Sequence, residues 1–196
     1  MRKIWIGVAC ALPLVAVQGA PRQVDVSAFD VAGVKLGMSV EEAKAALAAQ
    51  FGVEQTALVD EKWPSADGVT GEKVPKSFVL KNGVHTVTVH HATDVLHGRE
   101  PARAVYLVLY EMPYSEANVA AMRDAALQKY GENSNAPNDL PMDWCAEPHE
   151  NTGLGCNDPR MAILQLSQTR LKLYDPRYQE AINAWREQKN NDIPKL

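Results

Sequence analysis

The sequence predicts an α+β domain, a mostly antiparallel sheet with about three helices packed on it. Three observations carry this expectation. Amphipathic stretches behind good helix caps occur at 40–51, 115–130 and after Asp175-Pro176. Runs of β-prone residues come in pairs joined by short turns, at 77–91 and 161–174. Helices and strands also lack the regular alternation of a doubly wound parallel fold.

The first helix follows from Ser39 and, three residues later, Glu42, a capping box that satisfies orphan amides at a helix start. Val40, Ala43, Leu47 and Phe51 then share one face, and Gly52 supplies a stop. Residues 53–76 are broken by Pro64, Gly68, Gly71 and Pro75 and read mainly as an irregular excursion, with a short strand at 56–59. Strands are expected at 77–80 and 84–91, joined by Lys81-Asn82-Gly83, because an Asn-Gly pair between β-prone runs is a strong hairpin signal. The run 104–110, Ala-Val-Tyr-Leu-Val-Leu-Tyr, is apolar at every position and reads as a central strand covered on both sides.

A second helix, capped by Ser115 and ended by Gly131, carries Val119, Met122, Ala126 and Tyr130 on one face. The polar, proline-bearing run 132–141 reads as an exposed loop. A second hairpin is expected from 161–166 and 170–174. Asp175 then caps a last helix with Pro176 in its first turn and Tyr178, Ile182 and Trp185 on its apolar side, fraying into 189–196.

The chain opens with Arg2 and Lys3, an apolar run of fourteen residues (4–17) and Gln18-Gly19-Ala20-Pro21, the layout of a secretory signal peptide. The run is shorter than the roughly 20 residues a spanning helix needs and contains Pro13, so no stable membrane anchor is expected. The reading is therefore a signal peptide at 1–19 and one domain at 20–196, exported to the periplasm or secreted beyond it. Loss of Arg2 and Lys3 takes the formal charge from -4 to -6, with the remaining bases scattered among acids. Such a surface does not suit nucleic acid, whose binding draws on counterion release by a basic patch. Cys10 leaves with the signal. Cys145 and Cys156 remain in an oxidising compartment, and an even pair there reads as a disulfide.

His90, His91, Asp94 and His97 are all potential metal ligands within eight residues. In a strand, however, His90 and His91 point to opposite faces, and no HExxH spacing, nucleophile elbow or phosphate-cradling glycine loop is present. No cofactor is expected, and no metal ligand is assigned. The alternative function is a small metal-dependent hydrolase built on this cluster. The disulfide segment is the stronger binding candidate: a stapled loop loses less entropy when a partner binds, and it holds Trp144 and His149. Trp144 is either a contact anchor or a core residue over the disulfide, and Trp63 either a surface anchor or a loop-packing residue.

The stretch 33–47, GVKLGMSVEEAKAAL, resembles the helix-opening motif of the SmpA/BamE outer-membrane assembly lipoproteins and of the β-lactamase inhibitor proteins, through Gly37, Met38, Ser39 and the helix behind them. The chain departs from the lipoproteins in lacking a lipid-attachment cysteine, since Gly7-Val8-Ala9 does not make a lipoprotein cleavage site before Cys10. The resemblance implies an exported domain that binds other proteins through its sheet or loops. The resulting expectation is a periplasmic protein-binding module without catalysis, such as an inhibitor, an immunity protein or an envelope accessory protein.

Overall fold

A computed structural model describes residues 22–136, 140–150 and 154–191. The expected signal peptide lies outside them, as does the tail beyond Asn191. In chain order the elements are β1 (Asp30–Val31), β2 (Val34–Lys35), α1 (Val40–Phe51), β3 (Val59–Asp60), β4 (Ser65–Ala66), β5 (Lys73–Val74), β6 (Ser77–Asn82), β7 (His85–Thr93), β8 (Arg103–Glu111), α2 (Glu116–Tyr130), β9 (Met142–Cys145), β10 (Ile163–Ser167), β11 (Arg170–Tyr174) and α3 (Arg177–Asn191). Seven strands form one antiparallel sheet in the order β3-β6-β7-β8-β11-β10-β9, while β1-β2 and β4-β5 make separate two-stranded ribbons. The fold is α+β, with β8 at the centre of the main sheet as its sequence predicts.

Register explains how the core forms. Successive pairings align Phe78, Val89, Val108, Leu173, Leu164 and Trp144 in one row across six strands, and Leu80, Val87, Tyr110, Leu171, Leu166 and Met142 in the next. Side chains alternate along a strand, so both rows face the same side. All six residues of the first row are fully buried. Helices α1 and α2 cover that side. Lys44 of α1 lies 5.4 Å over the Phe78 ring, and Tyr130 of α2 meets Trp144 edge to face at 5.9 Å, so the helices sit over opposite halves of the sheet. The β1-β2 hairpin packs beside them through Phe29, whose ring is 5.0 Å from that of Tyr130, and Tyr130 donates its hydroxyl to the Asp30 carbonyl.

The capping box at Ser39 and Glu42 forms in full. Gly52 closes α1 in the left-handed conformation that glycine adopts without penalty. The two-residue turn Gly83-Val84 closes the β6-β7 hairpin, with Gly83 at φ 59°.

Helix α3 packs on the sheet apart from the main core: Tyr178 and Ile182 are buried outside the main cluster, Tyr178 lies 6.4 Å from Tyr106, and the helix runs to Asn191. Three expectations need correction. The run 104–110 is not fully covered on both sides: Leu107 and Leu109 are only half-buried on the side away from α1 and α2. The excursion 53–76 contains three short strands, β3, β4 and β5, rather than one. Finally, 132–141 is not simply an exposed loop, because Asn133, Ser134 and Asn135 are all buried.

The last difference has a clear physical cause. β9 is an edge strand, and an edge leaves a row of unpaired amides and carbonyls. Ser134 N–H donates to the Asp143 carbonyl (2.6 Å), Asp143 N–H donates to Asn135 Oδ1 (2.9 Å), and Cys145 N–H donates to Ser134 Oγ (3.1 Å). Val24 N–H donates to the Cys145 carbonyl at 2.8 Å. The polar run thus stands in for the missing neighbouring strand, and its polarity reflects hydrogen bonding rather than solvation.

Candidate functional site: the open face of the sheet

Pairing that aligns the core rows also aligns the rows on the opposite side. One contains Val79, Thr88, Leu109, Lys172, Gln165 and Asp143; the other contains Ser77, His90, Leu107, Tyr174, Ile163 and Cys145. Between His90 and His91 the β7-β8 pairing slips by one residue. The extra residue, Tyr106, lies beside His90 and Tyr174, with ring centroids 6.3 Å from each. The bulge returns Val105 of β8 to the core side opposite His91, which ordinary alternation along β7 already places there, its ring 6.1 Å from Phe78.

The face so formed is a trough. Leu107, Leu109, Gln165 and Lys172 line a depression of about 570 Å³ on its floor. Along the β9 edge the stapled segment forms one boundary. Cys145 and Asp143 point to this side, and the Cys145–Cys156 disulfide has an S–S distance of 2.04 Å and a Cα–Cα distance of 6.2 Å. Gly155, at φ 86°, lies so close to Asp143 that an added Cβ would meet Oδ2 at 2.8 Å, which seats the returning arm of the segment on the strand. Toward the β6 edge, Glu61 accepts from Lys76 N–H (2.6 Å) and Ser77 Oγ (3.3 Å), anchoring the turn that carries Trp63. Tyr178 of α3 meets Tyr106 at one end.

The expected site residues divide. Trp63 is 79% exposed, with the Lys62 ammonium 5.2 Å over its ring. Trp144 is fully buried, and its Nε1–H donates to the Gly131 carbonyl at 3.0 Å. Its role as a contact anchor is therefore corrected: alternation on β9 sends Trp144 into the core and Cys145 to the open side. His149 is half-buried in the stapled segment, where its N–H donates to the Gly155 carbonyl at 2.8 Å. Leu107, Leu109, Tyr106 and Tyr174 are the surface residues that sequence reasoning missed. The signal for Tyr106, Leu107 and Leu109 was the all-apolar run 104–110, read as doubly covered.

The histidine cluster does not converge. His90 faces the trough and His91 the core. Burial and the nearby Arg103 guanidinium push the His91 imidazole down to about 4. Its Nδ1 accepts from Arg103 Nε at 3.1 Å, which places the proton of the neutral ring on Nε2, a buried atom without a hydrogen-bond partner among the described residues. Asp94 is fully buried and takes His97 Nδ1 (2.9 Å) and Arg99 Nε (2.5 Å) on its carboxylate, while its backbone closes the 94–102 loop. Among the described residues no group of three or more histidine, cysteine, aspartate or glutamate side chains is placed to hold a metal ion, and no helix is long and apolar enough to cross a membrane.

A second concavity, about 490 Å³, lies on the other side of the sheet between α1 and α2. Phe51, Met122 and Leu171 line it, and Tyr110 hydroxyl and His85 Nδ1 pair at 2.6 Å in its wall. Comparison of the chain with protein-family models, curated proteins and solved structures gives no match.

Proposed function

We propose that this chain is an exported protein-binding module without catalysis, working in the periplasm or beyond it as an inhibitor, immunity or envelope accessory protein, and that it holds its partner on the open face of the sheet. The observation that carries the reading is the composition of that face. An antiparallel sheet with one solvated side normally places polar residues there. Here Val79, Leu107, Leu109, Ile163 and Tyr174 in the aligned rows and Tyr106 at the bulge are only half-buried, with Lys172 and Gln165 among them and the Arg170–Glu111 pair at one end. Aliphatic and aromatic side chains with polar groups beside them are of the composition that protein interfaces use. The disulfide limits the freedom of one wall, which reduces the entropy lost on docking. Trp63 adds an exposed aromatic of the type enriched at interface hot spots.

The test is recovery of a partner from the native cell envelope by the tagged mature chain, with Leu109→Arg and Ala121→Arg in parallel. Ala121 is exposed on α2, on the far side of the sheet. A partner lost with Leu109→Arg and kept with Ala121→Arg supports the reading. Loss only with Ala121→Arg moves the interface to the helical side, and recovery of no stoichiometric partner opposes the module.

A further inference from the structure

We propose that the cavity between the 94–102 loop and the start of α3 is an oxyanion-binding site that takes a carboxylate or phosphate group on the paired arginines Arg99 and Arg177. Arg99, Arg177, His97 and Tyr178 line one open cavity of about 460 Å³ together with Ser27, Leu36, Gly37 and Asp175, whose carboxylate is already bound by Arg177. This site stands independently of the partner-binding trough.

Its construction points to an anion. Each arginine is held from behind by an aspartate: Asp94, which is fully buried, and Asp175, which is 3% exposed. Arg177 binds Asp175 through both edges of its fork, Nε to Oδ1 at 2.9 Å and Nη2 to Oδ2 at 2.7 Å. Arg99 binds Asp94 through Nε and Nη2 and reaches the Gly37 carbonyl with Nη2 at 3.4 Å. A guanidinium has five donors, so a carboxylate along one edge leaves others to spare. Those side chains stay 53% and 43% exposed, while their aspartates are almost wholly covered. Asp94 is thus covered, Asp175 lies in the cavity wall with its carboxylate neutralised by Arg177, and further guanidinium donors remain at the surface.

Two further groups face the same space. The His97 ring is fixed by Nδ1 to Asp94 and packs edge-on against Tyr178 at 5.7 Å. Tyr178 remains a neutral hydroxyl donor at ordinary pH, since burial and the charges of Asp94 and Asp175 push its phenol up to about 12. Paired arginines of restricted orientation match the planar, two-oxygen edge of carboxylates and phosphates. The same cluster suggested metal ligation in the sequence. In three dimensions Asp94 is occupied by His97 and Arg99, and the chemistry presented outward is that of donors.

The test uses the full mature chain with nitrogen-15-labelled arginine side chains and histidine, titrated separately with inorganic phosphate and with succinate in a chloride-matched buffer. The expected result is saturable movement of the Arg99 and Arg177 Nε–H and His97 ring signals, with Arg170, an exposed arginine paired to Glu111, unmoved. Arg99→Gln, which can still donate to Asp94, should weaken binding at least tenfold, and Arg170→Gln should leave it unchanged. Saturation by phosphate alone assigns the site to phosphate groups, and by succinate alone to carboxylates. Equal movement of Arg170, no saturation with either probe, or unchanged affinity in a folded Arg99→Gln protein overturns the proposal. Arg177→Lys, read by the same His97 signal, supplies the second variant if Arg99→Gln fails to fold, and undiminished affinity there overturns it equally.

Discussion

His91 makes the stability of this fold depend on pH between its folded value of about 4 and the ordinary 6.5. The imidazole is 3% exposed, accepts from Arg103 on Nδ1 and has no partner for Nε2 among the described residues, so protonation would place a charge against Arg103 inside the core. Its folded value of about 4 lies below the ordinary 6.5. The unfolded chain therefore binds more protons between these values. Stability is fully present above pH 6.5 and falls as the pH drops toward 4. At pH 5 the difference amounts to roughly 2 kcal/mol for this single group. His90, also lowered by burial, adds in the same direction. Asp30 and Asp67 are held below the ordinary carboxylate value of 3.8, so their contributions disappear only in stronger acid. Urea unfolding of the disulfide-intact chain at pH 7.5 and 5.0 measures the effect, with His91→Asn as the comparison. The asparagine amide oxygen can still accept from Arg103, and the titrating ring is gone. The variant should lose roughly 2 kcal/mol less than the wild type between the two pH values. An equal loss in both proteins would refute the assignment of His91 as a buried neutral imidazole.

Other consequences follow from the core and the β9 edge. Trp144→Ala removes the largest fully buried side chain and leaves the Gly131 carbonyl without its donor, so stability should fall by about 3–5 kcal/mol and calorimetric Tm by roughly 10 °C. Cys145→Ser with Cys156→Ser should lower urea stability by about 3 kcal/mol, while circular dichroism remains that of a folded chain because Ser134, Asn135 and Val24 still hold the edge. Asn135→Ala leaves the Asp143 amide without its acceptor, at about 1–3 kcal/mol, and hydrogen exchange at that amide should accelerate while that of Val108 in β8 changes only with global stability. Leu109→Arg should change stability by less than about 1 kcal/mol, since the position opens to solvent.

Local signals in the sequence carried most of the scaffold. The Ser39-Glu42 box, the turn after Asn82 and the Asp175-Pro176 pair each act within a few residues, and each produced its element. Long-range pairing was less legible. β9 is four residues long and contains Asp143, whose burial becomes comprehensible only when Gln165 Nε2 on the next strand donates to it at 2.9 Å. Asn133, Ser134 and Asn135 look like a solvated loop unless the edge they satisfy is known. The open face was hidden for a different reason. An apolar run does not distinguish a strand covered by helices on both sides from one that offers half its apolar residues to a partner. Likewise, sequence proximity drew His90, His91, Asp94 and His97 together, while alternation along β7 and the closed 94–102 loop gave each a separate environment.

The most direct test of the central claim is site-specific photo-crosslinking in the native envelope, with the reactive residue placed in turn at Leu109 on the trough floor, at the exposed Trp63 and at Ala121 on the helical side. The account predicts one common adduct from Leu109 and Trp63 and none from Ala121. An adduct confined to Ala121, or none from Leu109 while Trp63 reacts, would contradict docking on the open face of the sheet.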